Sequence, residues 1–450
     1  MQSLGQSFEM WVMPFDVSVI DQIANLYHAD DRPWVVGFSG GKDSTALLQL
    51  VFHALTKIPS DARKKQVHVV SNDTLVEIPQ VAQMVLETLV KIEKGAKRRG
   101  LPMVVAQTRP ELEDSFFVNI IGRGYPSPTS RFRWCTERMK IDSTTRYITK
   151  LVETRGEVII LLGARKAESN TRAQTMESHK IEGSILRRHS TLPRSYVYTP
   201  IEDWTTQEVW AYLIGVPSPW GGDNRALFHL YKQADGGECP LVIDKSTPSC
   251  GNSRFGCWTC TVIENDKAVE GFIESGDEHL EPLLEFRNFL KEARSRRDWR
   301  ERVRKNGQLK NQDGEEVWGP FTLEARKAIL RRLLETEKKA GFQLISIDEL
   351  LLIQRFWKKG GRSLTGPTAD IDFSVAKILR ETRGETAMSG YLDLLEGGVD
   401  PLLKTVCEQY DLPPELIERL KAEEEAVAHL QRRDGIFQRI DEILDSVQAK

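Results

Sequence analysis

The sequence predicts an α/β protein: a parallel, helix-covered sheet, then a short cysteine module, then a helical C-terminal region. Apolar, β-branched runs of strand length alternate with segments of helical spacing over the first half of the chain, the pattern of a parallel sheet with crossover helices. From Glu264 onward long charged helices replace that alternation. Between the two, four of the six cysteines crowd from Cys239 to Cys260. At 450 residues there is room for two or three domains, and the pattern divides as residues 1–235, 236–265 and 266–450.

Composition excludes several classes. A net charge of −3 carries no global polyanion signal, so any nucleic-acid surface must be local. No apolar run reaches membrane-spanning length, and Met1 to Val17 lacks a basic segment followed by an apolar core. A cytoplasmic protein without membrane contact is expected. Six cysteines are too few for a disulfide scaffold in a chain this long, and their crowding points to a metal site.

Residues 1–33 open the chain with one amphipathic helix, carried by Val19, Ile20, Ile23, Leu26 and Tyr27. The run Val35-Val36-Gly37-Phe38-Ser39-Gly40-Gly41-Lys42-Asp43-Ser44-Thr45 is then a strand, a tight turn and a helix start. The glycines let the backbone approach an anion, Ser39, Ser44 and Thr45 offer hydroxyls, and the helix start adds unpaired N–H groups. The turn suits a phosphate. It is not a Walker A loop, because the glycines are adjacent and Asp43 follows Lys42.

Gln66 to Val70 is the second strand, followed by Asp73-Thr74 and Glu77-Ile78-Pro79; Val81 to Arg99 is helical and Met103 to Ala106 a third strand. Ligands of such sheets sit outside the carboxyl ends of the strands, where Asp73 and the glycine turn would both lie. Asp73 is placed to reach adenosine or magnesium, or equally to serve as a turn or cap carboxylate. Arg131-Phe132-Arg133-Trp134-Cys135-Thr136-Glu137-Arg138-Met139-Lys140 supplies cations for a phosphate or nucleotide tail. Cys135 reads as a small buried residue sooner than as a nucleophile.

Val158 to Leu162 is another strand, ending in Gly163-Ala164-Arg165-Lys166-Ala167-Glu168-Ser169-Asn170-Thr171-Arg172, where Arg165 and Arg172 could converge on an anion. Thr205, with Glu208 three residues on, marks a capped helix. Cys239, Cys250, Cys257 and Cys260 follow as C-x10-C-x6-C-x2-C, the ligand count of a [4Fe–4S] cluster or a four-cysteine zinc site; spacing alone does not choose between them. In the helical region the arginines between Lys291 and Lys310, Arg294, Arg296, Arg297, Arg300, Arg302 and Arg304, read as a solvated face and as the first candidate for holding a DNA backbone. Trp299 inside that run packs sooner than it stacks.

The order S-G-G-K-D-S resembles the PP-loop of the ATP pyrophosphatases, a Rossmann-like group. With D-T-x-x-E-x-P, R-x-C-T-x-x-x-K, G-x-R-x-x-E-S-x-x-R, the Pro200 to Tyr212 segment and Leu227 to Tyr231, residues 30–235 resemble its phosphoadenylyl-sulfate reductase branch. The catalytic C-terminal cysteine motif of those reductases is missing, as is the Cys-Cys pair of the adenylyl-sulfate type; Cys407 stands in Thr405-Val406-Cys407-Glu408. The segment S-C-G-N-S-R-F-G-C-W-T-C-T-V, from Ser249 to Val262, together with Gly319 to Arg326, resembles instead the DndC and SspD family of sulfurtransferases in bacterial DNA phosphorothioate modification.

That resemblance implies ATP, Mg2+ and a [4Fe–4S] cluster on Cys239, Cys250, Cys257 and Cys260. It implies DNA as substrate, a cysteine desulfurase as sulfur donor and further phosphorothioation subunits as partners. In the expected site Ser39, Gly40, Gly41, Asp43, Ser44 and Asp73 hold the nucleotide, and Lys42, Asp43, Arg165 and Arg172 take part in the chemistry. A sulfonucleotide reductase, a PP-loop tRNA thiolase and a metal-stapled DNA-binding subunit are the rival readings.

Overall fold

The computed structural model describes residues 14–168, 170–234, 255–303, 318–360 and 374–396, with 413, 416 and 420. They fall into two compact units, residues 1–363 and 364–450. In the second, α12 (Ser374–Arg383) packs on α13 (Glu385–Glu396). The helices Lys267–Glu274, Glu281–Ala293, Leu323–Ala340 and Ile347–Gly360 (α8 to α11) belong to the first unit, so the helical region expected from residue 266 is shared between the two.

The first unit is organised by a six-stranded sheet in the order β3-β2-β1-β4-β6-β5. Its strands are β1 (Trp34–Gly37), β2 (Val67–Asn72), β3 (Met103–Thr108), β4 (Val158–Leu161), β5 (Arg187–Arg188) and β6 (Ser195–Tyr198). All neighbours pair in parallel except β5 with β6. β1 and β4 have almost wholly buried residues, as strands covered on both faces must. On one face Val35, Val70, Val158 and Ile160 pack with Ile148 of α4 (Asp142–Arg155). α1 (Pro14–Ala29) packs on α2 (Lys42–Lys57), burying the five apolar positions that predicted a helix there.

The connections are α3 (Pro79–Arg98), α5 (Asn170–Ser178), α6 (Thr206–Gly215) and α7 (Asn224–Ala234). Thr205 and Glu208 close the expected capping box at the start of α6. The chain leaves β1 towards β2 on one side and returns to β4 on the other, so the strand order reverses between β1 and β4. A crevice opens at such a switch point, outside the carboxyl ends of the strands. The charged helical pattern expected from Glu264 onward also predicts a helix over residues 414–447, of which only 416 and 420 are described.

Candidate active site

The turn after β1 opens into this crevice. Gly40 has φ +74, a conformation that glycine adopts without strain, and a Cβ there would stand 2.4 Å from the Val85 side chain. Gly41 is the N-cap of α2 in extended conformation, and no side chain caps the helix. The orphan N–H groups of its first turn are therefore left for an anion, apart from that of Lys42, which donates to Tyr231 Oη at 3.2 Å. Ser44 holds the turn closed: its Oγ donates to the Gly41 carbonyl at 3.0 Å and accepts from the Ser39 N–H at 3.2 Å. Ser39 Oγ lies 3.1 Å from it.

Two cations share one carboxylate at the turn. Lys42 Nζ donates to Asp43 Oδ2 at 2.9 Å and sits 5.5 Å from the centre of the Tyr231 ring. Asp43 Oδ1 accepts from Arg165 Nε at 2.6 Å. The remaining nitrogens of Arg165 donate to the Trp204 carbonyl at 3.1 Å and Thr206 Oγ1 at 3.2 Å, and the residue is 3 % exposed. Arg165 is thus a buried strut beneath the turn, not the open phosphate clamp that its place in the motif suggests. The side chain of Arg172 lies outside the described residues. Gly163, leaving β4, lets the two loops touch, because a Cβ there would meet the Asp43 carbonyl oxygen at 2.6 Å.

Asp73 follows β2 and shapes its own turn. It accepts from the Leu75 N–H at 2.9 Å, where Leu75 takes a positive φ of 64, and pairs with Arg109 Nε at 3.1 Å. The structure places it as a turn carboxylate, the second of its two readings. One residue on, buried Thr74 brings its Oγ1 to 3.3 Å from Cys257 Sγ. A short antiparallel bridge joins Glu77 to Cys257, and Trp258 N–H donates to the Val76 carbonyl at 3.0 Å. Cys257 and Cys260 are therefore seated on the turn that follows β2. Fully buried Arg287 of α9 fastens their arm from behind by donating to the Cys260 and Glu264 carbonyls at 2.9 Å each, and to that of Ile263.

Cys135 joins this group. Burial pushes its thiol pKa up, and the nearby Cys257 and Cys260 sulfurs push in the same direction. Burial likewise raises Cys257, against the pull of the Lys140 ammonium. The Cys257 thiolate is in turn the main influence raising Lys140, with Glu77, Cys135 and Cys260 adding. Because Cys257 is raised, that attraction is realised only when the sulfur ionises, as metal binding requires. Glu77 is raised by its burial first and by Asp73 second.

Cys135 and Lys140 belong to a π-helical turn and its cap, Thr136–Ile141 preceded by Cys135, whose position depends on Asn72 at the end of β2. Asn72 Nδ2 donates to the Met139 carbonyl at 3.0 Å, while its Oδ1 accepts from Thr108 Oγ1 at 3.1 Å and from Ser143 Oγ. Sequence reasoning assigned no role to Asn72, Glu77 or Tyr231, although all but Asn72 stand in the motifs quoted above, and it took Lys140 as a cation for a phosphate or nucleotide tail. Cys239 and Cys250 lie outside the described residues. Among the described residues no three His, Cys, Asp or Glu side chains converge closely enough to hold a metal ion. The donor chemistry nevertheless suits a thiolate-bound centre, with three thiols beside a lysine that offsets thiolate charge.

Two of the arginines beyond α9 are committed within the fold. Arg294 donates to the Pro128 and Thr261 carbonyls at 2.6 and 2.8 Å, and Arg300 to those of Gly319 and Arg294 at 2.7 and 3.0 Å. Arg296 pairs with Asp298 and covers Trp299, which packs edge-on to Phe289. Arg294 and Arg300 are thus scaffolding, while Arg296, Arg297 and Arg302 are exposed, as a solvated face requires; Arg304 lies outside the described residues.

A family model described as the phosphoadenosine phosphosulfate reductase domain matches residues 33–263, just over half of the chain, from the start of β1 past the Cys257–Cys260 pair. The chain belongs to that family. A second model, described as a small protein found in certain Dnd DNA modification systems, matches residues 402–445. Over 250 residues the chain is 26 % identical to the uncharacterized protein MJ0066 of Methanocaldococcus jannaschii, a match covering 56 % of this chain and 40 % of that protein. The chain thus spans two-fifths of the length of the curated relative it matches. No helix among the described residues is long and apolar enough to cross a membrane.

Proposed function

We propose that this protein is an ATP-dependent sulfurtransferase of a DNA modification system, which adenylylates a backbone phosphate and replaces a non-bridging oxygen with sulfur. The observation that carries the reading is a shared edge: the phosphate-binding turn follows β1 and the cysteine group is seated on the turn after β2, its hydrogen-bonded neighbour. The match of residues 402–445 to a Dnd-associated description supports DNA as the substrate.

The chemistry is a leaving-group problem. A non-bridging phosphate oxygen does not depart as hydroxide at neutral pH. Attack of that oxygen on the α-phosphorus of ATP breaks the bond to the β-phosphate and expels pyrophosphate. The oxygen then leaves within AMP when the outer sulfur of a persulfide attacks the DNA phosphorus, and a second thiol cleaves the S–S bond of the adduct, leaving the phosphorothioate and a disulfide that an external thiol reductant re-reduces. Ser39, Gly40, Gly41 and Ser44 shape the turn that would receive the pyrophosphate, with Mg2+ neutralising its charge. Asp43 keeps Lys42 beside that turn, and Arg165 keeps Asp43 in place.

Cys239, Cys250, Cys257 and Cys260 would hold a [4Fe–4S] cluster, with the Cys135 thiol beside the latter two. Such a cluster supplies sulfur handling or electron transfer when bound. Thr74 would orient the Cys257 thiolate and Lys140 would offset its charge. A cysteine desulfurase would deliver the sulfur, and other subunits of the modification system would present the DNA.

The test is pyrophosphate release by protein purified without oxygen, given ATP, DNA and a desulfurase with cysteine, followed by mass spectrometry of the digested DNA. Phosphorothioate dinucleotides are expected, and Ser39→Ala or Asp43→Ala should abolish pyrophosphate release while retaining the metal. Sulfite formed from an adenylyl sulfate would favour the reductase reading suggested by the family match. Thiolated tRNA bases without sulfur in DNA would replace the proposal with a tRNA thiolase.

A further inference from the structure

Among the described residues one aromatic side chain stands exposed to solvent. Phe132 is 45 % exposed, while every other described Phe, Tyr and Trp side chain is buried or half-buried. It sits between Arg131 and Arg133, both exposed, at a tight turn in which Thr129 and Phe132 exchange backbone hydrogen bonds at 3.2 Å. Nearby arginines are already paired: Arg109 with Asp73, Arg123 with Glu113, Arg138 with Asp114 and Arg146 with Glu111. Arg131 and Arg133 have no carboxylate partner among the described residues.

The turn is held rigidly from below. The Pro128 carbonyl accepts from Thr261 Oγ1 at 2.8 Å and from Arg294 Nη1 at 2.6 Å. Trp134 is buried, donates to the Pro126 carbonyl at 3.0 Å and stacks on Phe116. Phe132 itself lies tilted against Tyr125, with ring centres 6.2 Å apart. Thr261 follows Cys260 directly, and Cys135 follows Trp134, so the turn is tied to the thiol arm and to the helix start that carries the third thiol.

We propose that this turn is a nucleic-acid contact of the sulfur site, in which Phe132 stacks on an unpaired base and Arg131 and Arg133 hold the flanking phosphates. An exposed ring between two unpaired guanidinium groups matches the alternation of flat apolar bases and anionic linkers in a single strand, and matches no other common ligand class as well. The inference rests on the reading of DNA as substrate and assigns the residues that would present its backbone to the thiols.

The experiment is binding of the full chain to a fluorescent mixed-sequence single strand, to its duplex and to a tRNA, over a range of salt. Wild type should favour the single strand. Phe132→Ala should weaken that binding about tenfold, the size of one lost base–aromatic stack, and Phe132→Trp should restore it. Arg131→Ala with Arg133→Ala should lower the salt slope by about 1.4, as two lost single-strand phosphate contacts require. Single-strand binding unchanged by all three substitutions overturns the turn while leaving the DNA reading intact. Tighter binding of tRNA than of either DNA overturns both. Binding that follows Phe132 as expected, in a protein that puts no sulfur into DNA, upholds the contact and removes the reading beneath it.

Discussion

Thr74 Oγ1 lies 3.3 Å from Cys257 Sγ, joining the turn after β2 to an arm that lies 183 residues further along the chain. Through this contact the cysteine arm becomes part of the same sheet edge as the glycine turn after β1.

If Cys135 belongs to the metal-binding group, its loss is as harmful as that of Cys257. Cys135→Ser and Cys257→Ser, purified without oxygen, should each lose most of the iron and acid-labile sulfide carried by wild type. Thr74→Val, which removes a hydroxyl contact to Cys257 and Glu77 but no ligand, should keep them. Full iron in Cys135→Ser would return Cys135 to the role of a small buried residue. Stoichiometric zinc in colourless wild-type protein would instead make the cysteines a structural staple.

Gly163 is the point of closest approach between the two loops of the crevice. Its neighbour is the Asp43 backbone, which cannot swing aside as a flexible side chain would. Gly163→Ala should cost roughly 1–3 kcal/mol in unfolding free energy, the usual penalty of overpacking, and should displace the start of α2. Nucleotide affinity, read by calorimetry with ATP and Mg2+, should fall together with stability. A variant that melts as wild type and binds ATP equally well would show that the loops separate easily.

His53 of α2 gives the fold an acid limit. Burial, with a smaller push from Arg99, lowers its pKa from 6.5 to about 4. The unfolded chain therefore binds a proton near pH 6.5 that the folded chain refuses until about 4. Stability from the neutral ring is complete above the unfolded pKa and falls with pH by about 1.4 kcal/mol per unit, up to roughly 3 kcal/mol. Urea unfolding at about pH 7 and about pH 4.5, on either side of most of that window, should show a larger loss for wild type than for His53→Leu; equal losses would place the acid sensitivity elsewhere.

The sheet and its glycine turn were legible because their signals are local. Val35-Val36 and Ile159-Ile160 are buried strand runs, Gly40 and Gly41 punctuate the turn, and Thr205 with Glu208 forms a cap within one helical turn. β5 and β6 were missed: β5 spans only two residues, and Ser195 to Tyr198 borders a segment that reads as a helix start. The place of Cys135 and the anchoring by Asn72 were not legible either, since both depend on partners brought together by tertiary folding. The arginine-rich run was legible only in part for a related reason: Arg296, Arg297 and Arg302 are exposed, but two others are not. Composition records charge, but it does not record that Arg294 and Arg300 face backbone carbonyls.

Arg165 is the residue on which motif and geometry differ most, and one substitution separates them. A clamp on a bound phosphate would contribute to nucleotide affinity and little to the free protein. The buried Arg165 observed here instead holds Asp43, the Trp204 carbonyl and Thr206. Arg165→Met leaves those acceptors without their donor, and Asp43 keeps only Lys42, so unfolding free energy should fall by roughly 2–3 kcal/mol. Arg165→Lys restores a charge near Asp43 but cannot reach all three acceptors, so its stability should lie between the two. Affinity for ATP should weaken in both variants in the order of their stabilities, because the turn is displaced with Asp43. Wild-type stability in Arg165→Met with ATP affinity lost would instead make the guanidinium a direct phosphate ligand, exposed to the nucleotide by a movement of the turn.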